Sequence, residues 1–267
     1  MGGLNGLSHK SAEMKLLNLG CGMRTHPSWT NVDFKARAEG VIEHDLLKGL
    51  PFADESFDAV YHSHLLEHFP KSYAPIFLKE CFRVLRPGGV IRVVVPDLEQ
   101  IARLYLSFLE KADKGDEEAQ KKYEWILLEM FDQIVRSRSG GEMLEYWKQN
   151  PMPAEEFVIE RVGSEVLNVL KQIRVPSPSG KSEKKTEATG RDNDPVSIGT
   201  FRLSGEVHQW MYDRYSLKRL LEDTGFRDVR KCEAGNSSIP NFTGYLLDQE
   251  PDGSVRKPDS LFMEGSK

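Results

Sequence analysis

Short apolar runs bounded by turn residues mark the first hundred positions. Lys15-Leu16-Leu17-Asn18-Leu19 stops at Gly20-Cys21-Gly22. Asn31 to Phe34, Val41 to Asp45, Phe57 to Tyr61 and Val90 to Val95 follow. Their brevity and apolar continuity predict five buried strands. Between the last two, Ile76, Phe77, Phe82 and Val84 fall near a 3.6 period, and Arg86-Pro87-Gly88-Gly89 stops that helix. A second unit comes near the end. Leu217, Leu220 and Leu221 share one face of a helix over 215–223, and Val229 to Cys232 and Tyr245 to Leu247 are expected strands. Strand, helix, strand at this spacing predicts an α/β fold with a mostly parallel sheet.

Residues 98–204 break the pattern. Leu98, Ile101, Leu104, Tyr105 and Phe108 follow helical spacing, as do Tyr123, Ile126, Leu127, Met130 and Ile134, and then Val162, Val166, Val169, Leu170 and Ile173. This predicts a long helical insertion. Its tail, 176–195, is rich in Ser, Gly, Lys, Glu and Thr and is expected to be disordered. The resulting division is a core of residues 1–97 and 205–250, a cap of 98–204 and a flexible tail of 251–267.

Composition narrows the classes. The formal net charge of −5 and the absence of a long basic block argue against a nucleic-acid surface. No apolar run is long enough for a membrane span, and the first residues lack the apolar core of a signal peptide. Three cysteines, Cys21, Cys81 and Cys232, form no paired framework. The expectation is a cytoplasmic protein with reduced thiols. Nothing in the sequence predicts an oligomeric state.

The first chemistry-bearing segment is Leu19-Gly20-Cys21-Gly22. A strand running into Gly-x-Gly lets backbone approach a ligand closely. Asp33 ends the next strand, where a carboxylate accepts hydrogen bonds from the vicinal hydroxyls of a ribose. Asp45, beside the backbone of Leu46, is suited to the amino edge and ring nitrogen of an adenine. All three lie at carboxyl ends of strands, where open α/β sheets bind ligands. The third Gly of a dinucleotide fingerprint is missing; Thr25 stands there, which argues against a nicotinamide oxidoreductase.

With these residues, LLNLGCG, NVDF, HDLLKGLPFADESFDAVYHSHLLEHF and LKECFRVLRPGGVIRVVVPD, the chain resembles class I S-adenosylmethionine-dependent methyltransferases, the type 11 group in particular, over residues 15–97 and 206–248. The resemblance implies a Rossmann-like fold and S-adenosylmethionine as cofactor. It also implies roles: Leu19, Gly20, Cys21 and Gly22 at the methionine part, Asp33 at the ribose, Asp45 and Leu46 at the adenine, Ser63 and His64 beside the methyl. Two positions depart from the family pattern. Asn18 replaces an acid two residues before the first Gly, and Arg24 stands where a third Gly is usual. The span from Gly22 to Asp33 also leaves little room for a crossover helix.

His62-Ser63-His64-Leu65-Leu66-Glu67-His68 is the densest chemical segment. Two readings of it stand. Glu67 and His68 fix the loop by bonding each other, or His68, or His208 in Glu206-Val207-His208-Gln209-Trp210, takes the acceptor's proton as general base. Trp210 and Tyr212 are expected as core or wall. His64-x-x-Glu67-His68 also matches an inverted zinc-hydrolase spacing, but the surrounding framework is not a hydrolase's and no metal is expected. The favoured function is methyl transfer to a small-molecule or sugar-type acceptor. The alternatives are a non-catalytic S-adenosylmethionine-binding protein and, behind it, a zinc hydrolase using His64, Glu67 and His68.

Overall fold

A computed structural model describes residues 14–174 and 194–267. The strands are β1 (Leu16–Leu19), β2 (Trp29–Asp33), β3 (Val41–Glu43), β4 (Phe57–Ser63), β5 (Leu85–Pro96), β6 (Arg227–Cys232) and β7 (Ser260–Ser266). They form one sheet in the order β3-β2-β1-β4-β5-β7-β6. The first five pair in parallel, and β7 runs antiparallel to β5 and β6. The architecture is Rossmann-like, and the strand order reverses between β1 and β4. The helices are α1 (Ala74–Val84), α2 (Leu98–Asp113), α3 (Glu117–Val135), α4 (Gly141–Trp147), α5 (Glu155–Val162), α6 (Ser164–Arg174), α7 (Pro195–Arg202) and α8 (Arg214–Thr224).

The two faces of the sheet are covered differently. On one, α1 and α8 bury Phe77, Leu78, Leu217 and Leu221 against Leu17, Leu19, Val60 and Val93. The Asp213 side chain caps α8 and Gly225, at φ 117°, ends it. The opposite face carries an irregular segment. Ala234, Ile239, Phe242 and Leu247 pack there on Leu16, Trp29, Ala59, Tyr61 and Phe262. The β1–β2 link, residues 20–28, and the β2–β3 link, residues 34–40, hold no helix. Short strands allow this. The four residues of β1 rise about 13 Å, and nine linking residues reach about 30 Å when extended.

An irregular cover leaves backbone carbonyls that a helix would have satisfied internally. Arg92, wholly buried on β5, meets them. It donates to the carbonyls of Glu233 (2.9 Å), Ala234 (3.3 Å) and Asn236 (3.0 Å). Its charge is balanced by Asp248 at 2.7 Å and Glu264 at 2.9 Å. Tyr61 donates to the same Asp248 at 2.6 Å, and the guanidinium lies 4.5 Å from the Phe242 ring centre.

The insertion expected over 98–204 is helical where described. Ile101, Trp125, Ile126, Val158, Val166 and Leu170 give it a core of its own. It leaves the sheet directly after β5, where the Asp97 side chain caps α2. Of the stretch expected to be disordered, 176–193 lies outside the described residues. Asp194 and Pro195 differ from that expectation, because Asp194 caps α7 and Pro195 is its first residue.

Two further expectations are corrected. Tyr245 to Leu247 is no strand; a 3-10 turn, Phe242–Tyr245, occupies its start. The tail of 251–267 is not loose as a whole, because residues 260–266 are β7, inserted between β5 and β6. Its apolar run is only Leu261, Phe262 and Met263, and the turn-rich PDGSVRKPD before it masks the signal. The strand carries a buried Glu264, which the pattern alone counts against burial and which Arg92 neutralises.

Arg92→Met is expected to destabilise the fold by about 3–5 kcal/mol, because it leaves buried Asp248 without its cation and Glu264 with only the exposed Arg230. Replacing Asp248 and Glu264 with apolar residues as well should cost less than Arg92→Met alone. Urea denaturation of the two variants checks the order; a milder single variant would mean that the ion pairs do not hold the cover.

Candidate functional site

The carboxyl ends of β1, β2 and β3 meet in one rim. Gly20 and Gly22 follow β1 with φ of 63° and 53°, a conformation that favours glycine. The Gly22 amide donates to Asp33 Oδ2 at 2.8 Å, and the Lys35 amide to Asp33 Oδ1 at 3.1 Å. Each carboxylate oxygen keeps a second lone pair for a ligand. The His44 amide donates to the Asp33 carbonyl at 2.9 Å, which brings the β3 end alongside. There Asp45 accepts from the Leu47 amide at 3.0 Å and caps the 3-10 turn Leu46–Lys48. Leu46 is buried in the core, whereas Met23, Phe34 and Leu47 stand exposed after β1, β2 and β3. Two carboxylates, two glycines and three unburied apolar side chains on one rim suit an adenosine-bearing ligand. A Cβ on Gly22 would meet nothing within 4 Å, so the space beside it is open; a Cβ on Gly20 would lie 2.9 Å from Leu65 Cδ1. Cys21 is buried, and burial pushes its thiol up to about 11.

Ser63 ends β4, next to β1 across the sheet. His64 follows with φ 50°. Its imidazole points away from the glycine rim: Nε2 pairs with Ser260 Oγ at 2.8 Å and Nδ1 lies 3.4 Å from Glu67 Oε1. His68 and His208 meet edge to face with ring centres 4.8 Å apart. Glu67 is wholly buried, and its carbonyl accepts from the amides of Gln209 (2.7 Å) and Trp210 (3.2 Å). The His208 amide in turn donates to Gln133 of α3 at 2.9 Å. Segment 207–212 is therefore held between the turn after β4 and the cap. Burial brings the His68 imidazole down to about 4 and pushes the Glu67 carboxyl up to about 8. Burial likewise holds His64 and His208 well below the ordinary imidazole value. Tyr212 is buried as expected, whereas Trp210 is exposed rather than core or wall, with Lys71 Nζ 4.3 Å from its ring centre. His64, Glu67 and His68 do not share a helix face, because only Leu66–His68 form a 3-10 turn. The shared helix face on which the hydrolase spacing relies is therefore absent.

Residues 17–93 match the family model described as a methyltransferase domain. Over those residues the chain carries a methyltransferase domain. Among relatives, a probable S-adenosylmethionine-dependent methyltransferase of Mycolicibacterium smegmatis is 33% identical over 108 residues, 34% of this chain and 41% of that protein. A demethylmenaquinone methyltransferase of Staphylococcus haemolyticus is 33% identical over 98 residues, 34% of this chain and 40% of that protein. The chain spans about two fifths of the length of these curated relatives. A solved SAM-dependent methyltransferase from Archaeoglobus fulgidus is 14% identical and covers 96% of this chain and 87% of its own, at a TM-score of 0.39, too loose a superposition to locate any residue.

The departures of this methyltransferase domain have structural reasons. Asn18 is buried, and its amide donates to the Arg24 carbonyl (3.0 Å) and to Asn31 Oδ1 (2.9 Å). Asn31 donates in turn to the His26 carbonyl at 3.1 Å. Neutral amides thus pin the helix-free loop that a lone acid would leave untied. Arg24 pairs with Glu250, whose Oε1 also accepts from Ser164 of α6 at 2.8 Å. This clasp joins the glycine loop, the irregular cover and the cap, and nothing in the local sequence announces it. A groove of about 560 Å³ bordered by Lys15, Pro27, Ser28, Thr30 and Phe52 lies at the amino ends of the strands, the end that open parallel sheets do not use for ligands.

Gly22→Ala is expected to cost about 1–2 kcal/mol, the penalty of its left-handed backbone. Gly20→Ala should cost more, since Leu65 must also move. Paired denaturation curves check the ranking. The Arg24 hydrogen bond holds the Glu250 carboxyl below its ordinary value. A depressed acid stabilises the fold above its unfolded pKa and loses that contribution as pH falls through its folded one. Glu250→Gln should therefore cost up to about 1 kcal/mol at neutral pH, and the difference from wild type should begin to shrink below the ordinary carboxylate value of about 4.3 and vanish below the folded one. A difference unchanged from neutral pH down to about pH 2 would show that the clasp is not ionic.

Proposed function

We propose that the chain is an S-adenosylmethionine-dependent methyltransferase that acts on a small-molecule or sugar-type acceptor. The observation that carries this reading is the Gly20–Gly22 loop tied to Asp33 at the end of β2, beside the point where strand order reverses. Asp33 holds the ribose, Asp45 and the backbone of Leu46 the adenine, and Leu19 to Gly22 with Ser63 the methionine part. His64 contributes its backbone there, because its ring is engaged with Ser260. The cofactor supplies a methyl already activated by a positive sulfur. What remains for the chain is to orient the acceptor, exclude water and handle any released proton.

Acceptor handling belongs to the cap side. His68 and His208 stand together behind α3, and we assign the acceptor's reacting atom to their side of the site. His208 is buried and His68 half-buried, so an acceptor comes up to their side of the site when the cap moves away from the rim, as a lid would. The core-and-cap division supports this reading: the cap has its own hydrophobic core and leaves the sheet at the ligand edge.

Calorimetry with S-adenosylmethionine and its demethylated product is expected to give micromolar binding, with a gain of ~2.7 kcal/mol in stability at a hundredfold excess over Kd. Asp33→Ala should weaken binding by about 1.5–3 kcal/mol. Asp33→Asn retains an acceptor for the Gly22 amide and should keep the fold closer to wild type while still losing affinity. A chain that binds neither ligand is not a methyltransferase; normal binding by both variants would remove Asp33 from the site.

A further inference from the structure

Glu67, His68 and His208 bring metal-ligand chemistry together: one donor atom from each lies within 4.8 Å of the others. Glu67 is wholly buried, and neither carboxylate oxygen has a hydrogen-bond partner among the described residues; His68 Nδ1 has none either. An ionised carboxylate so placed is costly unless something positive meets it. The nearby cations are engaged elsewhere, Lys257 with Glu165 at 3.0 Å and Arg136 with Asp132 at 2.6 Å.

The side chains facing Glu67 offer nitrogens. His208 Nε2 lies 4.0 Å and His64 Nδ1 3.4 Å from Glu67 Oε1. The tautomer of His64 follows from its other contact. Ser260 Oγ donates to Asp259 Oδ1 at 3.4 Å, so it accepts from His64 Nε2 at 2.8 Å. The proton then sits on Nε2, which leaves Nδ1 without a proton to donate to Glu67.

We propose that Glu67, His68 and His208 bind a divalent transition-metal ion of the zinc type, with a water or other small ligand in the fourth position. Imidazoles with one carboxylate are a zinc donor set. With bonds of 2.0–2.1 Å, tetrahedral ligands sit about 3.3 Å apart, so the side chains draw in by an ångström or so on binding. The metal ties the turn after β4 to segment 207–212, whose backbones already pair through the Glu67 carbonyl. This site does not depend on the methyltransferase reading. Ligation takes a nitrogen from each imidazole, so neither His68 nor His208 then serves as a general base.

The test uses the untagged full-length chain purified without chelators. Mass spectrometry for metals should find about one zinc per chain. The cobalt-substituted protein should show the visible absorption of a four-coordinate site, and a strong chelator should lower the melting temperature. Glu67→Gln and His208→Asn should each reduce metal affinity by about tenfold or more. If the variants do not fold, cobalt titration of the wild type decides. Trace metal, no cobalt spectrum and indifference to the chelator overturn the proposal; Glu67 is then a buried protonated acid, and Glu67→Gln should leave the melting temperature unchanged or higher. S-adenosylmethionine binding is read separately, so failure here leaves the proposed function standing.

Discussion

Arg92 places a full positive charge inside the sheet, and the arrangement of one whole face follows from it. A charge there is tolerable only with partners, and Asp248 and Glu264 provide them from opposite directions. Asp248 belongs to the irregular cover and Glu264 to β7, so one guanidinium joins the cover and the late antiparallel strand to β5. Its remaining donors go to carbonyls that no helix satisfies. This is how a face without packed helices stays closed.

The sequence made the parallel half legible. β1, β2, β4 and β5 read as apolar runs because they are largely buried; β3, expected buried as well, is an exposed edge strand. α1 and α8 show one-sided periodicity with recognisable stops. The late strand was hidden for the opposite reason. Period arguments treat Glu264 as a surface signal, and its burial depends on partners elsewhere in the chain: Arg92, 172 residues away, with Ser237, the Ser238 amide and Arg230. The same limit applies to Asn18. Read locally it is a lost acid; its contacts with Asn31 and Arg24 make it the pin of a loop.

The candidate site divides along the same line. Gly20, Gly22, Asp33 and Asp45 are close in sequence to the strand ends that position them, so their grouping on one rim could be anticipated. His208 lies 140 residues beyond His68 in the chain, and only the return of segment 207–212 beneath the cap joins them. The clasp of Arg24, Glu250 and Ser164 has the same character. Long-range polar contacts of this kind leave no periodic trace, because each partner alone resembles a surface residue.

His64 is where the two halves part. A non-glycine residue at φ 50° carries a backbone cost of order 1 kcal/mol and persists only when its surroundings over-determine it. Here they do: its amide donates to the Val94 carbonyl at 2.8 Å, and its ring is held by Ser260. An ordinary continuation of β4 would carry the next residues along the sheet toward the glycine rim. The left-handed turn instead sends Leu65 over Gly20 and Glu67 and His68 toward His208. The cofactor rim and the histidine cluster therefore grow from the same strand end on either side of one strained residue. Movement at that turn reaches both: the Leu65 side chain covers Gly20, and Glu67 cannot shift without loosening segment 207–212.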